Sequence, residues 1–253
     1  MTSRRPAALP PPWDPGDPRV EDALREAAIE TLHLTPNSSN YVYVAELSHP
    51  DLGAGLGVYK PERGEQPLWD FPDGLYRREI AAFEFSRLLG WNIVPPTVEV
   101  LGPHGIGSLQ LFIEHDTHQH YFTLREEDTY DEQFVRFAVF DLIANNADRK
   151  AGALLLDSTG HIWGIDNALC FNAEPKLRTV IWDYAGTKIP APWLADVARA
   201  CAALAEASAP AQPLLARIDA GERAALIERC GALLAAPVLP EMYPWRCTPW
   251  PLI

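Results

Sequence analysis

The chain has 253 residues, of which 47% are hydrophobic and 22% are charged, as in an ordinary soluble globular protein. Its formal net charge of -13 creates a negative field that repels nucleic acid and anionic membrane surfaces. Charge therefore argues against nucleic acid as a partner. No apolar run approaches the roughly 20 residues of a membrane helix, so stable membrane insertion is not expected. The N-terminus lacks the apolar core of a signal peptide, which predicts a cytoplasmic protein.

The first elements in chain order are an arm, a short helical stretch and a hairpin. Residues 1–18 contain six prolines and are predicted to form an irregular arm. Residues 19–34 have helix-forming composition over their first two turns. The turn cluster "TPNSSN" then leads to "YVYVAEL" and "LGVYK", β-branched and aromatic runs that predict an antiparallel hairpin.

A helix and two further strands complete the first half. In "GLYRREIAAFEFSRLLGW" apolar residues recur at helical spacing, and Gly90 provides a C-terminal cap. The runs "IVPPTVEVLG" and "GIGSLQLFIEH" predict two more strands. The first half is therefore predicted to be a sheet with one prominent helix.

The second half has a different pattern. The stretch "YDEQFVRFAVFDLIANN" is apolar on nearly every side, as in a helix buried at the centre of a lobe. "ALLLDSTGHIWGID" predicts two short strands around a tight turn, and helical composition returns in residues 193–208 and 214–236. The whole pattern predicts an α+β protein with a β-rich N-terminal lobe and a mostly helical C-terminal lobe.

Two carboxylates flank the predicted short hairpin. Asp148 and Arg149 precede it, and Asp166 and Asn167 follow it. Strands this short place their ends within roughly 5 to 10 Å of each other. Carboxylates so close repel each other unless they share a proton, a cation or a metal. In a cleft between two lobes the usual use of such a pair is phosphoryl transfer, in which one Asp orients the acceptor hydroxyl and the other binds Mg²⁺.

Taken singly, these residues also have a plain structural interpretation. Asp148 would cap a turn, Asp157 and Asp166 would end strands, and Arg149 would form a surface ion pair. In the functional interpretation Arg149 offsets the negative charge of Asp148 or of a phosphate. The ordered set of residues favours the functional interpretation.

The motif "FDLIANNADR…GIDNALCF" resembles the catalytic and metal-binding segments of the phosphatidylinositol 3-/4-kinase-like superfamily. It is similar to type II phosphatidylinositol 4-kinases, to HipA-type kinases and, more closely, to small actinobacterial-type members. The resemblance implies a protein-kinase-like domain over residues 19–253, with an N-lobe at 19–115, a C-lobe at 116–253 and the active site between them. It also implies that Asp148 and Arg149 are catalytic and that Asp166 binds the metal.

The resemblance assigns nucleotide-binding roles to the first half of the chain. Lys60, at the end of a predicted strand, would bind the phosphates of ATP, and Glu79 on the next helix would pair with it. The loop "PNSSNY" would cover the phosphates, and the strand "SLQLFIEHD" would be the hinge that meets adenine. The residues concerned are Ser38, Ser39 and Asn40 in the loop, and Phe112, Ile113 and Glu114 in the hinge.

One position departs from the family pattern. Relatives carry a polar residue five positions after the catalytic Asp, where this chain has Ala153, and a methyl group cannot bind Mg²⁺. Three alternatives follow: a single metal on Asp166 suffices, Asn146 or Asn167 substitutes as a ligand, or phosphoryl transfer is slow or absent.

The sequence thus predicts an ATP-dependent kinase that uses Mg²⁺, with Mn²⁺ as a possible replacement. Its acceptor would be a hydroxyl of a protein or of a soluble small molecule, because the acidic chain shows no basic or apolar surface for docking on lipid. The first alternative is a pseudokinase that binds nucleotide with weak or no transfer, which Ala153 motivates. A lesser alternative is an enzyme that transfers AMP.

Overall fold

A computed structural model describes residues 9–36, 40–244 and 246–253. The chain forms two compact units, one of Met1–Gln66 with Pro96–Ile113 and the other of Pro67–Pro95 with Glu114–Ile253. The predicted lobe limits, 19–115 and 116–253, describe a kinase domain and stay a prediction.

The first unit contains a five-stranded antiparallel sheet in the order β1-β2-β3-β5-β4. A short helix, α1, precedes the sheet at Val20–Glu26 and buries Val20 and Leu24. The predicted hairpin and the two later strands are confirmed. The strands are β1 at Ala28–Leu34, β2 at Tyr43–His49, β3 at Gly53–Pro61, β4 at Thr97–Gly102 and β5 at Gly105–Leu111.

Strand β1 is an element that the sequence pattern did not reveal. The two helical turns predicted from residue 19 correspond to α1, which ends at Glu26, but β1, which begins at Ala28, was not predicted. The strand lies at the edge of the sheet and pairs with β2, with Leu32 opposite Ala45. None of its seven side chains is fully buried, so the alternation of apolar and polar residues that identifies a strand is weak.

Strand β3 carries Lys60, and its pairing with β5 fixes the position of that residue. Lys60 lies opposite Ser108 in the register. A Cβ atom on the neighbouring Gly107 would approach the carbonyl oxygen of Lys60 to 2.3 Å, so glycine is required for the two strands to pair this closely. Lys60 is therefore held on the central part of the sheet.

The second unit contains six helices and one hairpin within the part of the chain that the structure describes. The prominent helix of the first half, the buried helix and the hairpin are confirmed. Helical composition over 214–236 resolves into two helices, because Asp219 accepts the N–H of Glu222 and starts a new helix. The elements are α2 at Tyr76–Leu89, α3 at Tyr121–Leu124, α4 at Asp131–Ala144, β6 at Leu154–Leu156, β7 at Ile162–Gly164, α5 at Ala191–Glu206, α6 at Gln212–Leu215 and α7 at Ala220–Ala235.

Aromatic side chains join α2 and α4 in the core of the second unit. The ring of Phe85 lies 5.5 Å from that of Phe140 and 5.9 Å from that of Phe171. All three rings are buried, and so are most residues of α4. Among the described residues, none of the helices has the length and apolarity needed to cross a bilayer.

Gly164 gives the first testable prediction, because it ends β7 against the buried ring of Phe137. A Cβ atom there would lie 2.5 Å from that ring, which cannot move since Phe137 is fully buried. We expect Gly164→Ala to lower the free energy of unfolding by about 1–3 kcal/mol. The measurement is urea unfolding followed by circular dichroism.

The matched control is Gly231→Ala in α7, where no atom lies within 4 Å of the added Cβ. Alanine costs less conformational entropy than glycine in a helix, so this variant should gain about 0.5–1 kcal/mol. Equal effects of the two substitutions would contradict the tight packing at Gly164.

Candidate active site

The segment that carries Asp148 starts where α4 ends. Asn145 follows the last helical residue with a φ of 55°, a left-handed conformation that turns the chain away from the helix axis. Its side-chain amide donates to the carbonyl oxygens of Asn172 and Glu174, and its side-chain oxygen accepts the N–H of Lys176. The end of α4 is thereby tied to the segment that follows Asp166 in the sequence.

Asn146, one of the predicted metal ligands, is fully buried and already bonded. Its side-chain amide donates to Asp141 over 3.0 Å, and its side-chain oxygen accepts the N–H of Asp148 over 3.0 Å. The Asn146 side chain therefore fixes the backbone at Asp148 to the buried Asp141.

Arg149 lies in the core and forms an ion pair with Asp141 of α4. Both side chains are 0% exposed. The Nε and Nη2 atoms of Arg149 donate to the Asp141 carboxylate over 3.0–3.1 Å, and the guanidinium carbon lies 5.6 Å from the centre of the Phe137 ring. The alternative of a surface ion pair is therefore wrong, because the guanidinium of Arg149 pairs with the buried carboxylate of Asp141.

The remaining donors of Arg149 reach the segment on the other side of the hairpin. Nη1 donates to the carbonyl oxygen of Ile165 over 2.9 Å, and Nη2 donates to the side-chain oxygen of Asn167 over 2.6 Å. These two residues enclose Asp166 in the sequence. One buried guanidinium thus fixes both segments that carry the predicted catalytic and metal-binding aspartates.

Asp166 is held in place through its neighbours. Its φ of 55° is left-handed, and its side chain is exposed. The N–H of Asn167 donates to the carboxylate of Glu79 over 2.9 Å, and the Asn167 side-chain amide donates to the carbonyl oxygen of Gly164 over 3.1 Å. Glu79 is buried, so a carboxylate from α2 secures the turn that presents Asp166.

The surroundings of Asp148 shift the pKa of its carboxyl group. Its side chain is 33% exposed, and one carboxylate oxygen lies 3.1 Å from the Nζ atom of Lys150. Burial raises the pKa of Asp148 above its ordinary value. The charges of Lys150 and Arg178 oppose that shift, whereas the negative charge of Asp166 adds to it. The two aspartates therefore interact electrostatically, as the hairpin geometry predicts.

Ala153 closes a 3-10 turn of three residues, Ala151–Ala153, directly after Lys150. Its side chain is buried with 4% exposure, and its carbonyl oxygen accepts the N–H of Ile165 over 2.9 Å. The position at which the family resemblance predicts a polar side chain thus holds the residue before Asp166 through its backbone.

The predicted nucleotide-binding residues of the first unit lie on its sheet and loops. Lys60 is half-buried on β3. Asn40 accepts the N–H of Gln66 with its side-chain oxygen over 2.8 Å, and Ser38 and Ser39 lie outside the described residues.

The predicted hinge residues follow β5. Ile113 is buried, Phe112 is half-buried and Glu114 is exposed. The N–H of Phe112 donates to the carbonyl oxygen of Leu56 over 3.2 Å, which extends the pairing of β5 with β3. Their adenine-binding role stays a prediction, as does the pairing of Lys60 with Glu79.

Three residues of the site were missed by the sequence interpretation. Asp141 could have been predicted to have a buried partner, because a charge inside an otherwise apolar buried helix requires one. Lys150 and Arg178 both oppose the rise in the pKa of Asp148. Lys150 is close to Asp148 in the sequence, whereas Arg178 comes near it only in the folded chain.

The carboxylates of Asp148 and Asp166 fit the donor chemistry of Mg²⁺. This ion is usually held by one or two protein carboxylates together with substrate phosphates. Within the described ranges, no group of three or more His, Cys, Asp and Glu side chains could form an all-protein metal site. The amide oxygens of Asn146 and Asn167 accept internal hydrogen bonds, and the carboxylate of Asp148 pairs with the Nζ atom of Lys150.

Sequence comparison places these segments in a known family. The family model for phosphatidylinositol 3- and 4-kinase matches residues 97–196, which include every aspartate of the candidate site. Protein Rv2133c from Mycobacterium tuberculosis is 40% identical over 264 residues, which cover 90% of this chain and 93% of that protein. The chain therefore belongs to the phosphatidylinositol 3-/4-kinase-like superfamily, as the motifs predict.

Solved structures support the same fold. The Golgi casein kinase with Mn and ADP bound has a TM-score of 0.53 at 12% identity, over 86% of this chain and 74% of that one. Hydra Fam20 with sugar has a TM-score of 0.51 at 16% identity, over 86% of each chain. The predicted α+β fold, with a β-rich N-lobe and a helical C-lobe like those of these kinases, is confirmed.

The buried ion pair gives the second prediction. Asp141→Ala would leave the guanidinium of Arg149 buried without its anion, so we expect a loss of about 3–5 kcal/mol in the free energy of unfolding. The double variant Asp141→Leu with Arg149→Met should lose less unfolding free energy than the sum of the losses of the single variants Asp141→Leu and Arg149→Met, because it leaves no charge unpaired. Urea unfolding of all variants measures both effects.

The control for this series is Glu132→Ala, which breaks the surface pair of Glu132 with Arg136 in the same helix. An exposed pair of this kind contributes little, so the change should stay within about 0.5 kcal/mol. A loss from Asp141→Ala no larger than this control would show that the buried pair does not hold the site together.

Proposed function

We propose that the protein is an ATP-dependent phosphotransferase, which transfers the γ-phosphate to a hydroxyl of a protein or of a soluble small molecule. The supporting observation is the pair of electrostatically coupled aspartates, Asp148 and Asp166, on two segments that the buried Arg149 fixes. Membership of a kinase-like superfamily supports the same reaction class.

Asp148 is the residue that receives the proton of the acceptor hydroxyl in this proposal. Its raised pKa makes it a stronger base than an ordinary aspartate. Lys150, 3.1 Å away, favours the ionised form and lies where a cation can also neutralise a phosphate. Lys150 thereby joins the proposed catalytic set.

Asp166 is the metal ligand in this proposal, because its carboxylate is exposed and its backbone is secured by Glu79 through Asn167. When bound, Mg²⁺ would neutralise the charge of the phosphates. The Golgi casein kinase of similar fold was solved with Mn and ADP, which supports nucleotide and a divalent ion as ligands of this chain too.

The structure leads us to revise three proposed roles. Asn146 and Asn167 act as positioning residues for the two aspartate segments, since their side-chain oxygens accept hydrogen bonds from the chain itself. Arg149 is likewise a positioning residue, because its fully buried guanidinium cannot touch a phosphate. Each of them acts through Asp148 or Asp166.

The nucleotide-side roles are carried over from the family. By the family resemblance, Lys60 would bind the phosphates of ATP and Glu79 would pair with it. Asn40 belongs to the proposed phosphate-covering loop, and Phe112, Ile113 and Glu114 form the proposed hinge. The acidic chain favours a neutral or basic acceptor over an anionic lipid surface.

Ala153 supports a second candidate, a nucleotide-binding protein without transfer. Its buried methyl group supplies no oxygen to a second metal ion. The site would then bind ATP through Lys60 and Asp166 and leave the γ-phosphate in place. The two candidates make opposite predictions about the fate of the γ-phosphate.

The third prediction tests transfer directly with ATP labelled separately at the α and γ phosphates, in the presence of Mg²⁺. We expect γ-label on an acceptor hydroxyl, or ADP with free phosphate where water accepts it. Asp148→Asn and Asp166→Asn should each reduce the rate by about 100-fold or more, the scale on which a catalytic base or charge stabilisation acts.

The control is Asp128→Asn, which changes an exposed aspartate outside the site and should leave the rate unchanged. Binding of ATP without release of ADP would support the nucleotide-binding candidate. Label arriving from the α-phosphate would indicate AMP transfer, and absence of ATP binding would overturn all three.

The fourth prediction concerns pH. An aspartate acts as a base only when ionised, so the rate should fall as pH decreases through the raised pKa of Asp148. Lys150→Met removes a charge that lowers this pKa, and the acid limb of kcat/KM should therefore move to higher pH. Lys188→Met, at an exposed position elsewhere in the unit, should leave the limb in place. An unchanged limb in Lys150→Met would argue against Asp148 as the titrating base.

A further inference from the structure

Residues 246–253, called the strap here, have no helix or strand but are bonded to both segments of the candidate site. The N–H of Ala151 donates to the carbonyl oxygen of Leu252 over 2.8 Å. The N–H of Thr179 donates to the carbonyl oxygen of Cys247 over 3.0 Å, and the indole N–H of Trp182 donates to the same oxygen over 3.1 Å. The strap therefore accepts from the segment after Asp148 and from the segment after Asp166.

These two segments are also bonded to each other. The N–H of Arg149 donates to the carbonyl oxygen of Arg178 over 3.0 Å, and the N–H of Val180 donates to that of Arg149 over 3.1 Å. The pattern is a parallel bridge between Arg149 and Thr179. The N–H of Arg178 also donates to the carbonyl oxygen of Asn146 over 2.8 Å, so residues 146–149 and 178–180 are joined directly. The bonds to the strap add contacts at Ala151, Thr179 and Trp182.

Thr179 connects the strap with the buried ion pair. Its N–H donates to the strap, while its hydroxyl donates to the carboxylate of Asp141 over 3.3 Å. Asp141 in turn binds Arg149, which holds Ile165 and Asn167 on either side of Asp166. A displacement of the strap is thereby transmitted through Thr179 to the residues that position both aspartates.

The strap is anchored by burial as well as by hydrogen bonds. Cys247 is buried, and the ring of Trp182 meets that of Tyr243, just before the strap, at a centroid distance of 5.5 Å. At the other end of the strap, the side chain of Ile253 lies close to the turn, since a Cβ atom on Gly152 would be 3.7 Å from it.

We propose that the strap is a positioning element of the candidate site, which keeps the Asp148 segment and the Thr179 segment in register by accepting one backbone hydrogen bond from each. Its catalytic consequence rests on the proposed phosphotransferase function, whereas the structural coupling does not. Releasing the strap should lower the rate of transfer and leave ATP affinity intact, because no strap residue belongs to the proposed nucleotide-binding set.

Two variants of the full chain test this proposal. In the first, residues 247–253 are replaced by a glycine and serine sequence of equal length. The second is Ala151→Pro, which removes the N–H donor and adds ring atoms at a fully buried position. The first position of a helical turn tolerates proline, and Lys150 before it has the extended backbone that proline requires, with a φ of -89° and a ψ of 161°.

The matched control is Ala220→Pro. Ala220 is also the first residue of a helix, and Asp219 before it is also extended, with a φ of -84° and a ψ of 176°. This position is exposed and lies away from the strap in the sequence. Ala220→Pro measures the general effect of proline at the first position of a helix. The replacement of residues 247–253 leaves Ala151 unchanged, so an effect shared by both strap variants is due to loss of the strap bond and not to atoms added at Ala151.

Hydrogen exchange followed by mass spectrometry measures the coupling. Both strap variants should accelerate exchange in peptides covering 149–152 and 178–182 by about tenfold or more, because local opening becomes easier. The transfer rate constant should fall about 10- to 100-fold, as misplacement of catalytic groups by about 1 Å does, while the Kd for ATP stays within about twofold. Ala220→Pro should change neither.

Unchanged exchange at 149–152 and 178–182 after replacement of the strap would overturn the proposal. Faster exchange with an unchanged transfer rate would also overturn it, since the strap would then have a structural role only. If the unaltered chain binds ATP but transfers nothing, the proposed function fails, and the exchange result alone decides whether the strap positions the two segments.

Discussion

The ion pair between Arg149 and Asp141 is the constraint on which the candidate site depends. A guanidinium with no solvent exposure must have its donors bonded, because a buried unpaired charge is far more costly than a buried pair. Arg149 meets this requirement with a carboxylate from α4, the carbonyl oxygen of Ile165 and the side chain of Asn167. Three separate pieces of chain therefore have one mutual arrangement in which this charge is satisfied.

A buried ion pair is seldom the most stable solution, and a well-packed apolar pair would serve stability as well. Its use here is better explained by the charges nearby. Burial raises the pKa of Asp148, and the negative charge of Asp166 adds a smaller contribution in the same direction. The negative charge of Asp166 in turn favours the charged form of Arg149. Arg149 thus places a buried positive charge beside the two segments that carry Asp148 and Asp166.

Much of the fold and of the candidate site could be predicted from the sequence, at the places where the local pattern and the motif agree. The apolar run of α4, the hairpin and the spacing of Asp148 and Asp166 are properties of contiguous residues. Strand β1 escaped prediction because it is an exposed edge strand that owes its conformation to pairing with β2. The partners of Asn146, Asn167 and Arg149 escaped because burial decides whether an amide faces a ligand or the chain, and one sequence contains no direct measure of burial.

The small residues at 151–153 contribute to the candidate site through their backbone groups and not through their side chains. Ala151 gives its N–H to the strap, and Ala153 gives its carbonyl oxygen to the N–H of Ile165. A polar side chain at 153 would have to enter a position that is 4% exposed, where a polar group needs a partner that the methyl group does not. The turn therefore links the segment that follows Asp148 to the residue before Asp166 through a main-chain hydrogen bond.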